Sequence, residues 1–298
     1  MKLRLVVVIA LVLGACTSTP DVVATIGDVE VSNVELTALN SGESVDDIEV
    51  QARSLYLLIL NRLLTAAAEE DFGFAPSDAE VAEAFDERTR GLGDDLDATL
   101  LERGVTRDRV LLESELDLVR AELEERLVYA DGYGFDFDRA YRGFLSVNSR
   151  VCMVVLNLAD ASLVSDIQAR VDGGEDLDDI FELYPDRTAR IDMGCASPID
   201  HGQALAPVAL DGEVGVSYAR ESGDGAIFVA KVTERDAPSA DDVRDEVMIY
   251  GVESQGPDLF NAWAVEVLKG ADVEVADAIG TWRPGPDTGD VPTIVPAE

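Results

Sequence analysis

Histidine is almost absent. His201 is the only one in 298 residues, beside three cysteines and two tryptophans. One imidazole cannot build a His-rich metal site, and it argues against a Ser/His/Asp triad. No glycine-rich phosphate loop follows a strand pattern, and Cys195-Ala196-Ser197 is not a nucleophile elbow. No metal ligand set, cofactor or nucleotide is therefore expected. Basic residues are also scarce, 23 against 60 acidic ones, for a formal net charge of −37. No basic stripe exists to release counterions from phosphates, which argues against a nucleic-acid partner. The same surface would be repelled by anionic lipids and would attract cationic or unfolded basic chains at long range, although solubility alone also explains it. Aromatics make up 6% of the chain, so Ala, Val and Leu carry a hydrophobic content of 47%. The length suggests two domains and a substantial core.

Long apolar runs are missing as well. Residues 5–13 are apolar behind Lys2 and Arg4, but a spanning helix needs roughly 20 such residues. The run reads as the core of a signal peptide over residues 1–15. Leu13-Gly14-Ala15-Cys16, followed by Thr17-Ser18-Thr19, resembles a bacterial lipobox. The resemblance implies cleavage before Cys16 and a diacylglycerol thioether on its sulfur. Two or three acyl chains would anchor residues 16–20 as a tether to the membrane. The expected location is extracytoplasmic, an oxidising compartment without ATP. Cys152 and Cys195 then remain as an even pair.

Two alternating runs, Val22 to Ile26 and Val29 to Val31, meet at Gly27-Asp28 as a tight hairpin. Ser32 with Glu35, and Ser77 with Glu80, have capping-box spacing. Residues 50–70 form a helix apolar on most sides, as expected of one buried by partners. Thr106 caps a long helix to about residue 128, with Leu112, Leu116, Val119, Leu123 and Leu127 as its apolar stripe. Its glutamates Glu113, Glu115, Glu122, Glu124 and Glu125 read as a solvated face.

The central stretch, residues 150–235, opens on Val151-Cys152-Met153-Val154-Val155-Leu156 and closes on Phe228-Val229-Ala230-Lys231-Val232. Between these strands lie helical patterns at 162–171 and 176–183, a short strand at 190–194, one helical turn at 205–210, and a strand at 214–220 ending in a loop through 221–225. A final helical region comes after Pro238, where Gln255-Gly256-Pro257 should kink or break it. Residues 284–298 are proline-rich and expected to be disordered.

The order of these pieces resembles the SurA/PrsA-type family of extracytoplasmic foldases. Val23-Ala24-Thr25-Ile26-Gly27-Asp28 is similar to the family's opening hairpin. Ser77-Asp78-Ala79-Glu80-Val81, Leu100 and Gly104-Val105-Thr106 are similar to its second helical part. Gly173-Gly174-Glu175-Asp176-Leu177 resembles the link between the first two parvulin helices, and Ile191-Asp192-Met193-Gly194 the "GDLG" strand. Val273-Glu274-Val275 and Gly280-Thr281-Trp282 resemble the tail of SurA-like lipoproteins. The resemblance implies an α+β fold: a mainly helical chaperone domain with an inserted parvulin-like domain of small antiparallel sheet and helices. The implied limits are 21–130 for the SurA-N-like part, 131–149 for a linker and 150–235 for the parvulin-like domain. A C-terminal helix over 238–283 would return to the chaperone part.

Prolyl isomerisation lowers a barrier of about 20 kcal/mol without breaking a bond. By resemblance, active parvulins use two strand histidines beneath a Cys or Asp, beside a Met- and Phe-lined pocket. Here the histidine positions fall at Met153 and Phe228. Asp186 falls at the Cys/Asp position across a shortened loop, and it reads more readily as a surface loop carboxylate than as a catalytic one. His201-Gly202-Gln203 resembles the pocket rim, and the segment 204–210 behind it lacks the usual Met and Phe. The implied function is a membrane-anchored, ATP-independent chaperone for unfolded or nascent secreted chains, with weak or absent isomerase activity. The alternatives are an active peptidylprolyl isomerase and an envelope lipoprotein with one dedicated partner. Cys152 and Cys195 lie on, or at the end of, two core strands. If these are neighbours, a disulfide would contribute about 4 kcal/mol in the chain-entropy model; two small buried thiols are the other reading.

Overall fold

The computed structural model describes residues 21–40, 47–93, 95–158, 163–221, 227–283, 285 and 292–297. The leader with Cys16 and the loop at 222–225 lie outside them. In chain order the elements are β1 (Val22–Ile26), β2 (Val29–Ser32), α1 (Asn33–Ala38), α2 (Ile48–Phe72), α3 (Asp78–Thr89), α4 (Leu96–Glu102), α5 (Arg107–Tyr129) and α6 (Phe137–Asn148). They continue with β3 (Arg150–Leu158), α7 (Val164–Asp172), α8 (Leu177–Leu183), β4 (Thr188–Ala196), α9 (Ala206–Asp211), β5 (Ser217–Glu221) and β6 (Ile227–Asp236). The last are α10 (Arg244–Gly270), β7 (Val273–Val275), β8 (Gly280–Arg283) and β9 (Thr293–Pro296). The fold class is α+β. Contacts divide the chain into two units, one reaching Leu123 and resuming at Phe260, the other Glu124–Leu259.

The first unit joins the two ends of the described chain. β1 pairs with β2 through the Gly27-Asp28 turn and with β7 on its other side, both antiparallel. Gly27 takes φ +54° while Asp28 stays at negative φ, which suits a two-residue hairpin with glycine first. Ser32 and Glu35 close a capping box: Glu35 N donates to Ser32 Oγ at 3.3 Å, and Ser32 N to Glu35 Oε2 at 2.8 Å. Burial pushes the Glu35 carboxyl up, but the Ser32 hydrogen bonds and the Arg62 guanidinium outweigh this and hold it below its usual range. α2 packs its face of Leu55 and Ile59 against Val23, Val31, Ile279 and Ile294. Trp263 Nε1 donates to Asp71 Oδ2 at 3.0 Å, tying the end of α10 to α2.

Two expectations change in this unit. The tail is not wholly irregular: Thr293–Pro296 pairs antiparallel with β8, and Ile294 is buried. The strand exists because Gly280 leaves room for the Val295 carbonyl, and because Trp282 stacks on Tyr56 with ring centroids 6.1 Å apart. Nor is the glutamate row of α5 simply solvated. Glu113 accepts from Arg88 at 2.7 Å and from Arg109 at 3.0 Å, and Glu115 accepts from Asn61 Nδ2 at 2.9 Å.

The second unit is built on an antiparallel sheet of order β4-β3-β6-β5. β3 is central, and its side chains alternate between two cores. Met153 and Val155 face Leu205, Val208 and Ala209, with α9 as cover. Val154, Leu156 and Leu158 face Ile167, Leu177 and Ile180 of α7 and α8. The unit is larger than residues 150–235, because α6 and the start of α10 are packed into it. Tyr141 Oη donates to Pro238 O at 2.7 Å, and a Cβ at Gly143 would meet the Tyr250 ring. The expected break in α10 does not occur; the helix runs through Pro257. Buried Gln255 fixes it by accepting from Asp136 N at 3.2 Å and donating to Asp136 O at 2.9 Å. Gly256 admits the Glu124 backbone, which would lie 3.0 Å from a Cβ.

Lys231 of β6 donates to both carboxylate oxygens of Asp176, at 2.8 and 3.0 Å, and Asp176 also caps α8 by accepting from Asp178 N at 2.9 Å. The Lys231 hydrogen bond holds the Asp176 carboxyl below its usual range and, reciprocally, raises the Lys231 ammonium. A depressed carboxylate contributes above its unfolded pKa, and a raised ammonium below its own. The pair therefore stabilises between about pH 4 and about pH 10 and is lost as pH falls through the lowered Asp176 value. Asp176→Asn keeps a good cap and removes only the charge. With solvent screening at this half-exposed site, the cost at pH 7 is about 1 kcal/mol. Urea unfolding should show that deficit at pH 7, and the deficit should shrink as pH falls through the lowered Asp176 value.

Candidate functional site

Side chains on one face of an antiparallel sheet fall into rows across its strands. On the face beneath α9, one row holds Gly194, Met153 and Val232; the next holds Ile191, Val155, Ala230 and Tyr218. The third holds Ala189, Asn157, Phe228 and Arg220. The first is sealed by Leu205, Val208 and Ala209, leaving Met153 0% exposed. The third is open, with Phe228 and Asn157 half-buried and Arg220 and Ala189 exposed. Met153 pairs with Val232 and Phe228 with Asn157. The two positions expected for parvulin histidines thus lie four residues apart along β3, about 13 Å. The fold does not bring them together.

Asp186 lies in the exposed turn before β4, two residues ahead of Thr188, which pairs with Leu158. It sits beyond the Phe228 row and far along the strand from Met153. His201 is no part of an open rim. It is 5% exposed, and its Nε2 lies 2.7 Å from Val151 O, so that nitrogen donates to the carbonyl. The bond ties the 3-10 turn Pro198–His201 to β3. Tyr184 donates its hydroxyl to Asp166, and this bond, with Arg170 beside it, holds the Asp166 carboxyl low. That network braces α7 against the chain after α8.

One opening in this unit is a groove of about 450 Å³ between α6, the Pro198–His201 turn and α9. Its wall is mainly apolar: Pro198, Ile199, Ala206, Pro207 and Leu210, with Ser146 and Gln203 as polar points. Arg142 and Asp211 bridge at 2.6 Å at its edge. Pro198 and Pro207 occupy first-turn positions, where a missing N–H costs no hydrogen bond and ring carbons can line a wall. Ile199 is 56% exposed. Residues 204–210 alone look too short to form a pocket. α6, in sequence part of a linker, supplies the other side. The readable signal was Pro198-Ile199 followed eight residues later by Pro207, both ahead of short helical turns.

Cys152 and Cys195 are direct partners across β3 and β4, with their Sγ atoms bonded and Cα atoms 3.9 Å apart. Cys195 is exposed and Cys152 half-buried, so they are not a pair of buried thiols. Among the described residues, no group of three or more His, Cys, Asp or Glu side chains gathers as a metal site, and no helix is long and apolar enough to cross a membrane.

The chain is therefore an α+β protein whose sheet domain carries an apolar groove, with Met153 and Phe228 at the positions expected for histidines. Among solved structures it is similar to the peptidylprolyl isomerase PrsA from Bacillus cereus, with 14% identity and a TM-score of 0.48 over 80% of this chain and 95% of that one. It is also similar to PrsA from Bacillus anthracis, at 15% identity and a TM-score of 0.41 over 72% and 95%. A third is from a study of two SurA-like chaperones of Campylobacter jejuni, at 12% identity and a TM-score of 0.32 over 86% and 99%. No protein-family model and no curated protein matches by sequence.

Peptide mapping checks the cysteines. Without reductant, neither Cys152 nor Cys195 should be alkylated; after reduction, both should be. Cys152→Ala with Cys195→Ala should lower unfolding stability by up to about 4 kcal/mol. Alkylation of both in the unreduced protein would refute the link.

Proposed function

We propose that this protein is a lipid-anchored, extracytoplasmic chaperone that holds unfolded secreted polypeptides without ATP and without prolyl isomerase activity. The observation carrying this reading is the separation of binding surface from any catalytic group. The groove of Pro198, Ile199, Pro207 and Leu210 is open and apolar. The two positions where imidazoles would act hold Met153, sealed under α9, and Phe228, two rows away. The sole histidine is committed to Val151 O. Such a site can take an apolar side chain from an unfolded chain and offers it no imidazole.

The family resemblance of the residue motifs supports the same reading, with a SurA-N-like helical part and a degenerate parvulin-like insert. The Leu13-Gly14-Ala15-Cys16 motif supports an anchor at Cys16 on the outer side of the cell membrane. The net charge of −37 keeps a chaperone with bound client soluble and attracts basic unfolded chains.

Light scattering of a denatured client, without nucleotide, tests the holding activity. Equimolar protein should suppress aggregation, and Ile199→Glu should weaken suppression several-fold, because an exposed apolar contact becomes a buried charge on binding. In a proline-peptide assay the isomerisation rate should stay at background. Aggregation unaffected at excess protein would reject the chaperone reading, and a rate well above background would restore the isomerase.

A further inference from the structure

The helical unit has an opening of its own. The tip of the β1–β2 hairpin, α2 and α5 enclose a cavity of about 610 Å³ lined by Ile26, Val29, Leu63, Thr65, Glu69 and Glu115, among others. Arg62 also lines it, but that guanidinium is committed to Glu35 and to the Glu30 carbonyl. Three features of the cavity bear on what it can hold. Val29 is 54% exposed, an apolar side chain at a hairpin tip where a polar one would cost nothing. Glu69 and Glu115 have no cation within ion-pair distance among the described residues; Glu115 is half-buried and accepts only from Asn61. Glu35 and Glu113 are paired by contrast, with Arg62 and with Arg88 and Arg109.

The third is Thr65, whose buried Oγ1 has no hydrogen-bond partner. Other helical hydroxyls in this protein find a partner: Thr37 donates to Asn33 O, Thr89 to Phe85 O and Ser114 to Val110 O, at 2.7–2.8 Å, and Ser54 to Asn40 Oδ1 at 2.7 Å. An unpartnered buried hydroxyl is costly. A threonine in a helix divides between two χ1 positions, so rotation can present Oγ1 to the cavity.

We propose that this cavity binds an extended segment of an unfolded polypeptide in which a lysine or arginine stands beside an apolar side chain. The proposal rests on the chaperone reading and adds the client class. Ile26, Val29 and Leu63 take the apolar side chain. Glu69 and Glu115 take the cation, and Thr65 Oγ1 takes a backbone group of the segment. Charge complementarity selects this occupant: a chain of net charge −37 disfavours acidic segments and favours basic ones.

The test is fluorescence anisotropy on the full chain with four labelled peptides of equal length: lysine–leucine, glutamate–leucine, lysine–serine and serine–leucine. The lysine–leucine peptide should bind about tenfold more tightly than each of the others, and more weakly as salt rises. Glu69→Gln with Glu115→Gln should erase its advantage over serine–leucine. Thr65→Val should weaken its binding about threefold while leaving the thermal midpoint unchanged or higher, because the orphaned hydroxyl is gone. A merely structural Thr65 would not lose affinity on that change. Equal binding of the lysine–serine or serine–leucine peptide, or unaltered binding by the variants, would overturn the proposal. Client aggregation measured alongside separates the two failures. Suppression without peptide selectivity removes this site alone, and loss of both removes the chaperone reading with it.

Discussion

β3 is hydrogen-bonded on both edges, to β4 and to β6, and buried on both faces. Its even and odd side chains are committed to different cores, Val154 and Leu156 beneath α7 and α8, Met153 and Val155 beneath α9. Moving the strand by one residue would exchange the two sets and leave neither core filled. The position of β6 is set by that register, and the position of Phe228 by β6. The Val151 carbonyl at the start of β3 holds His201, which in turn fixes the Pro198–His201 turn that walls the groove. One doubly buried strand therefore sets both what the sheet face can expose and where the groove lies.

This constraint has a chemical consequence. An imidazole at position 153 would lie in a sealed apolar core, and one at 228 in the open third row, too distant to share a hydrogen bond. The apolar contents suit the packing of α9 on the sheet, where Val208 and Ala209 approach closely. The core is tight around Met153, while Pro207 and Ile199 at the groove stay exposed. In the helical unit the same logic appears in reverse. There the exposed apolar tip of the hairpin and two carboxylates without a cation partner among the described residues line a cavity.

The sequence showed much of this at particular residues and missed it at others. Ser32 with Glu35 and Ser77 with Glu80 announce their helix starts, because a cap is a contact over three residues. Gly27-Asp28 announces a hairpin for the same reason. Pro257 was misleading: local chemistry argues for a break, but Gln255 gripping Asp136 and Gly256 against Glu124 hold the helix together from outside its own segment. Thr293 to Pro296 was misleading in the opposite sense. Nothing within four residues reveals a strand whose partner is Gly280–Arg283 and whose anchor is the stacking of Trp282 on Tyr56.

The residues alone determined the α+β class, the positions of most helices and strands, the scarcity of imidazoles and the acidic field. Each depends on composition or on spacing within one or two turns of chain. Only the folded molecule decided the row in which each sheet residue stands, the groove shared between α6 and α9, the inward partners of Glu113 and Glu115, and the orphaned hydroxyl of Thr65. These depend on which distant segments share a surface. That is decided by the burial of whole faces rather than by any local pattern, and a linear reading of charge and hydropathy cannot supply it.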